Sequence, residues 1–283
     1  MSSLIDSHCH LYYEPYINDI QGTINECKKN NINKLLSIGV DITTSKKNIE
    51  LAQKYSEIYC SIGIHPNSTI NSKKEELLEF ENLIKSSNKI IGIGETGLDY
   101  YRDFNKDLQF FYFEEQIKIA KKFNLPVIVH TRDAEDDTYL ILKKYSKINL
   151  KFIIHCFSGS IDFAIKCSEL GCYISFSGNI TFKNANNIRE ACKEIDIKKI
   201  LIETDSPYLT PHPHRGKKNH PSNVRYVCNE ISRIKNIDFN TVSKITTKNF
   251  SKFHFQLNFL KIYLVIIIPI TKINTSAITA LSL

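Results

Sequence analysis

The chain has 283 residues, 42% of them hydrophobic, and a formal charge of +7 from 37 Lys and Arg against 30 Asp and Glu. That is enough apolar material for a large core in one domain or two, which excludes a disordered chain; the small positive balance favours an anionic partner without identifying one. Its eight cysteines contain no Cys-x-x-Cys pair and do not resemble a small disulfide framework, so they read as reduced thiols of a cytoplasmic protein.

In chain order, apolar runs rich in Ile, Val and Leu fall at residues 4–7, 34–38, 58–62, 90–93, 127–129, 152–154, 173–176 and 200–202. Most are nearly continuous, as strands covered on both faces are. Helical periodicity fills the gaps, at 20–29, 43–55, 73–85, 107–123, 134–145, 161–170 and 185–194. Thr43-Thr44 and Asn71-Ser72 mark helix starts, with Glu75 placed to complete a capping box with Ser72. Strand alternating with helix eight times predicts an α/β fold, a (β/α)8 TIM barrel. An open doubly wound sheet is the runner-up, but no Gly-x-Gly-x-x-Gly turn follows the first run.

A Pro/His loop over 207–221 comes next, then helices at 224–235 and 239–253. The barrel is expected over 1–255, with 256–283 an appendage outside it whose removal leaves activity intact. No charged-then-apolar leader precedes Leu4, and the apolar stretch 259–270 is shorter than the ~20 residues a membrane span needs, so no membrane association is expected.

The polar residues sort to the strand ends. His8 and His10 lie at the end of the first run, one residue apart and so on one face of an extended chain, with Cys9 opposite. His65 follows the third run, Glu95 and Asp99 the fourth, His130 and Arg132 the fifth, His155 the sixth, Glu203 and Asp205 the eighth. In a barrel these ends form one rim. Singly, His130 or His155 reads as a buried histidine bonded to backbone, and Glu95 or Asp205 as a cap or ion-pair partner. Together, four imidazoles and two carboxylates are costly to bury without coordination. Six ligands exceed the four of a closed structural zinc site, which points to two divalent ions sharing a carboxylate, with Glu95 best placed to bridge.

The blocks Asp6-Ser7-His8-Cys9-His10, Gly63-Ile64-His65-Pro66, Gly94-Glu95-Thr96-Gly97-Leu98-Asp99, His155-Cys156-Phe157-Ser158-Gly159 and Glu203-Thr204-Asp205-Ser206-Pro207-Tyr208-Leu209 resemble the signature blocks of the TatD-type metal-dependent deoxyribonucleases, within the amidohydrolase-like barrels. The resemblance runs from Leu4 to about Phe253. It implies that His8, His10 and Asp205 bind one ion, that His130 and His155 bind the second, and that Glu95 bridges them. It further implies that Asp205 is the general base and that His65 and Arg132 contact the substrate phosphate. Two positions depart from the family's pattern: Asn67 stands where a histidine usually closes His-Pro-His, and His220 where an acid usually precedes Pro221. His212, His214 and His220 read as a loop near DNA rather than an extra metal site.

The expected function is hydrolysis of DNA phosphodiesters by a metal-activated water, as a 3′-5′ exonuclease acting on single strands or 3′ ends, with two divalent metal ions per subunit (Mg, Mn, Zn or Co). The oligomeric state is left open, a monomer being the default. An alternative is a barrel hydrolase acting on another ester or amide, such as aminoacyl-tRNA. A third reading, a nucleic-acid-binding protein with structural metals, predicts salt-sensitive binding without turnover.

Overall fold

Every apolar run becomes a strand and every periodic segment a helix. The computed structural model describes residues 3–102 and 105–253. In order they form β1 (Leu4–Cys9), α1 (Ile20–Lys29), β2 (Ile32–Ser37), α2 (Ile42–Lys54), β3 (Ile58–Ile62), α3 (Lys74–Ser86), β4 (Ile90–Asp99) and α4 (Lys106–Phe123). Then follow β5 (Val127–Arg132), α5 (Glu135–Tyr145), β6 (Phe152–Ile154), α6 (Ile161–Glu169), β7 (Tyr173–Phe176), α7 (Asn186–Glu194), β8 (Ile200–Ile202) and α8 (Val224–Lys235). A further helix covers 239–253. The expected appendage at 256–283 lies outside the described residues.

The strands pair in parallel, each with the next, in the order β1 to β8. The chain is thus a (β/α)8 barrel. β1 and the segment after β8 close it through a parallel bridge between Cys9 and Ser206 and a bond from Ser7 Oγ to the Ile202 carbonyl. Two apolar clusters follow from strand alternation. The larger lies between strands and helices, whereas Ile5, Leu36, Ile91, Ile128, Ile153, Tyr173 and Leu201 form a second cluster joined by Phe250 and Phe253 of the last described helix. Ser243 and Thr247 of that helix donate to the Ser3 carbonyl, tying it to the start of β1.

β4 and β5 run further than their apolar residues. The ladder continues through Thr96↔Val129, Gly97↔His130, Leu98↔Thr131 and Asp99↔Arg132, because backbone pairing does not depend on side-chain polarity. The expected capping box of Ser72 and Glu75 is not formed. A 3-10 turn over Pro66–Asn71 captures Ser72, whose hydroxyl donates to the Ser68 carbonyl, and α3 starts after Lys73 with no side-chain cap. The box belongs instead to α2, where Asp41 accepts from Thr44 N at 2.7 Å and Thr44 Oγ1 returns to Asp41 N.

Candidate metal centre

β1 delivers His8 and His10 to the mouth, while Cys9 turns into the core, its thiol against the Leu36 carbonyl. Asp205 reaches the same place from β8. Asp6, buried beneath them, accepts from Thr204 N at 2.9 Å and from Thr204 Oγ1 at 2.5 Å. Asp205 N donates to the His8 carbonyl and His10 N to the Ser206 carbonyl, each at 2.9 Å. This stitching holds Asp205 at φ +54 and sets its Oδ1 3.3 Å from His10 Nε2 and 3.6 Å from His8 Nε2. Burial drives the Asp6 carboxyl well above its usual range despite the Thr204 bonds.

Glu95 enters from β4, its N–H fixed to the Gly39 carbonyl at 2.9 Å. The backbone there lies so close to β3 that a Cβ on Gly63 would sit 2.4 Å from the Gly94 carbonyl carbon, so only glycine fits. Glu95 Oε1 lies 2.8 Å from His130 Nδ1, 2.7 Å from His155 Nε2 and 3.3 Å from His65 Nε2. Its other oxygen, Oε2, faces His8 Nε2 at 3.5 Å. One carboxylate therefore addresses both groups of donors. The rings of His8 and His155 stack at 4.0 Å, bringing His155 within reach of the His8 and Asp205 group as well.

Behind the imidazoles stand further carboxylates. Glu203 accepts from Ser175 Oγ at 2.5 Å and Cys156 N at 2.8 Å, and lies 3.3 Å from His155 Nδ1. Asp99, 3.4 Å from His130 Nε2, accepts from Asn67 Nδ2 and Tyr101 N, each at 3.0 Å. This is the arrangement in which outer carboxylates orient metal-binding histidines. Sequence reasoning assigned no role to Asp6, Asp99 or Glu203. A signal was there: Asp6 and Glu203 each precede a predicted ligand by two residues, which puts them on the same strand face one step deeper.

Charge is unevenly spread. Burial opposes a proton on His155, but Glu95 and Glu203 overcome it and lift the ring well above its usual value; Asp99 and Glu95 likewise lift His130 against burial. His8 and His65 are lowered, chiefly by burial. Burial would raise Glu95 and Asp205, yet the surrounding imidazoles hold Glu95 well below the usual carboxylate range and Asp205 below it too.

The donor set fits divalent cations. Neither ring nitrogen of the fully buried His8 has a hydrogen-bond partner, an arrangement that costs free energy unless something else binds there. Two ligands of one tetrahedral ion with bonds of ~2.1 Å stand about 3.4 Å apart, and the gaps from Asp205 Oδ1 and Glu95 Oε2 to His8 and His10 are 3.3 to 3.6 Å. The groups His8/His10/Glu95, His8/His155/Asp205 and His65/Glu95/His130 each gather ligand atoms within 4.8 Å. All six expected ligands converge. His65, expected on substrate, stands as close to Glu95 as they do.

The donors floor an open cleft of about 640 Å³, with Arg102 and Arg132 on its lining. The Arg132 guanidinium carbon lies over the Tyr101 ring, 3.7 Å from its centroid. Asn67, where the family pattern has histidine, braces Asp99. His220, in place of an acid, still caps the next turn, its Nδ1 accepting from Ser222 N. Among the described residues His212, His214 and His220 join no cluster of ligand atoms, and His214 pairs with the Tyr226 hydroxyl.

A family profile described as TatD related DNase matches residues 5–254. An uncharacterised metal-dependent hydrolase of Bacillus subtilis, YabD, is 41% identical over 256 residues, covering 90% of this chain and all of the relative. Another from Escherichia coli, YcfH, is 35% identical over 263 residues, covering 91% of this chain and 98% of its own length. Among solved structures, YJJV, a TatD homologue of Escherichia coli, superposes with a TM-score of 0.81 at 25% identity, covering 87% of this chain and 95% of that one. A TatD family hydrolase of Entamoeba histolytica gives 0.79 at 24% identity over 89% and 98% of the two chains. Among the described residues no helix is long and apolar enough to cross a membrane.

Proposed function

We propose that this protein, which belongs to the TatD family of metal-dependent hydrolases, is a deoxyribonuclease that removes nucleotides from the 3′ ends of single-stranded DNA. The observation that carries the reading is Glu95, whose two oxygens face two separate sets of imidazoles on the floor of a cleft with arginines at its rim. His8, His10 and Asp205 would hold one divalent ion and His130 and His155 a second, with Glu95 between. Such a pair activates water and neutralises charge on the attacked and leaving oxygens of a phosphodiester.

The chain's own groups then divide the remaining work. Asp205, whose side chain is 14% exposed against 5% for Glu95, is the inner carboxylate most open to the cleft, and takes the proton of the attacking water. Its lowered pKa keeps it ionised and ready to accept. Arg132, held over the Tyr101 ring, presents its planar fork to the phosphate, and His65 supports the same group from the β3 side. The leaving 3′ oxygen departs opposite the attacking water, inverting phosphorus.

The test is a time course on end-labelled oligonucleotides with chelated protein and with Mg, Mn, Zn or Co restored, run beside RNA and aminoacyl-tRNA. A ladder shortening one nucleotide at a time from the 3′ end, only with metal, is expected. Full activity in the chelated protein, or turnover of aminoacyl-tRNA alone, overturns the reading.

A further inference from the structure

Aromatic side chains are normally buried, since each hides a large apolar area, so the ones left in water are informative. Among the described residues the exposed aromatics are Tyr13, Tyr101 and Tyr208, at 39%, 59% and 52% exposure. All three lie on loops at the barrel mouth, after β1, β4 and β8. Tyr13 and Tyr208 come together across the β1/β8 seam, with ring centroids 6.3 Å apart at 79°. Both stand edge-on to His10, at 6.1 and 6.2 Å. Tyr12, buried beneath, packs on Tyr13 at 4.4 Å and fixes its ring from below.

We infer that Tyr208 and Tyr13 form a seat for one unpaired nucleobase of the strand being cut, next to the attacked phosphate. The inference rests on the nuclease reading above and adds what that reading lacks, a contact with something other than phosphate. Both rings line the cleft that holds Glu95 and Asp205, so a ligand touching them reaches the reacting centre at the same time. The chemistry that calls for a flat apolar face beside a cation-lined anion site is a nucleotide: a base offers its π face and its phosphate the charge. A peptide has the second requirement only in part and no obligatory flat ring; an aminoacyl-tRNA ester, which carries a terminal base, is told apart by the turnover comparison above. Stacking on a tyrosine face needs a base free of its complement, so the seat selects frayed or single-stranded ends.

The experiment uses the metal-loaded full chain on two single-stranded oligonucleotides, one intact and one carrying a tetrahydrofuran abasic residue at the 3′ terminus or the adjacent position. Wild type is expected to favour the intact strand in kcat/KM by roughly 5- to 150-fold at one of the two positions, the range that base stacking on an aromatic side chain spans. Tyr208→Leu and Tyr13→Leu should shrink that ratio towards one, and Tyr208→Phe, which keeps the ring, should restore it. Metal content of each variant, read by elemental analysis, is expected to match wild type, which separates a lost seat from a disturbed His10. A wild type that cuts intact and abasic strands alike, or leucine variants that keep the full ratio, overturns the base seat while leaving the nuclease reading standing. A metal-loaded protein that cuts no oligonucleotide at all overturns both.

Discussion

The two halves of the centre are built on different principles. At the β1/β8 seam the backbone sets Asp205 Oδ1 3.3 Å from His10 Nε2 and 3.6 Å from His8 Nε2. Asp6 and Thr204 lock the two strand ends together, and His8 is left with both nitrogens unbonded. On the β3 to β6 side, His65, His130 and His155 crowd one oxygen of Glu95 at 2.7 to 3.3 Å, and His130 Nδ1 lies 3.3 Å from His155 Nε2. Each half leaves a buried imidazole open, His8 through both nitrogens and His130 through Nε2, but only the second crowds three imidazoles onto one carboxylate oxygen. A cation entering the second half competes with the protons that the raised His130 and His155 share with Glu95, Asp99 and Glu203, whereas the lowered His8 offers less competition.

Removing the group common to both halves gives the largest effect. Glu95→Gln should lower turnover by about 1,000-fold or more while the fold persists, because several kcal/mol of charge stabilisation at the transition state depend on both sites. Circular dichroism and metal analysis alongside kinetics check it, and a variant that keeps two equivalents of metal and near-normal kcat refutes it. Glu203→Gln touches only the second half. Metal affinity there should fall by about 10- to 100-fold, with the seam site less affected, in a competitive titration with a chromogenic chelator.

The halves should also part company with pH. His155 and His130 are raised above the usual 6.5, so in the chelated protein they contribute stability that is complete below that value and lost as pH rises through their higher folded values. His8 and His65, being lowered, have finished titrating by then. Chelated protein should therefore lose stability in urea as pH rises above about 6.5, while metal affinity rises over the same window. A chelated protein that gains stability across it contradicts the shared-proton account. The smallest effect belongs to Asn67→Ala, which frees Asp99 of one hydrogen bond. About 1 kcal/mol, or roughly five-fold in affinity at the second half, is expected by calorimetry.

Much of this was legible in the order of residues. The period of two placed His8 and His10 together, and the habit of barrels to carry chemistry at strand ends placed Glu95, His130, His155 and Asp205 on one rim. Most of what escaped depends on neighbours distant in sequence. The lengths of β4 and β5 come from a ladder, the roles of Asp6, Asp99 and Glu203 from which imidazole or backbone amide each meets, and the cap of α3 from a turn that took Ser72 first. Arg132 was expected at the phosphate; that it lies over the Tyr101 ring depends on where the two loops meet.

The stitching of Asp6 to Thr204 joins residues 198 positions apart. During synthesis on the ribosome the β3 to β6 half can assemble from neighbouring strand–helix–strand units as they emerge, but the seam must wait until the eighth strand has been made. A nascent or prematurely terminated polypeptide would thus carry the crowded histidines together with His8 and His10 but without Asp205, leaving the seam group incomplete.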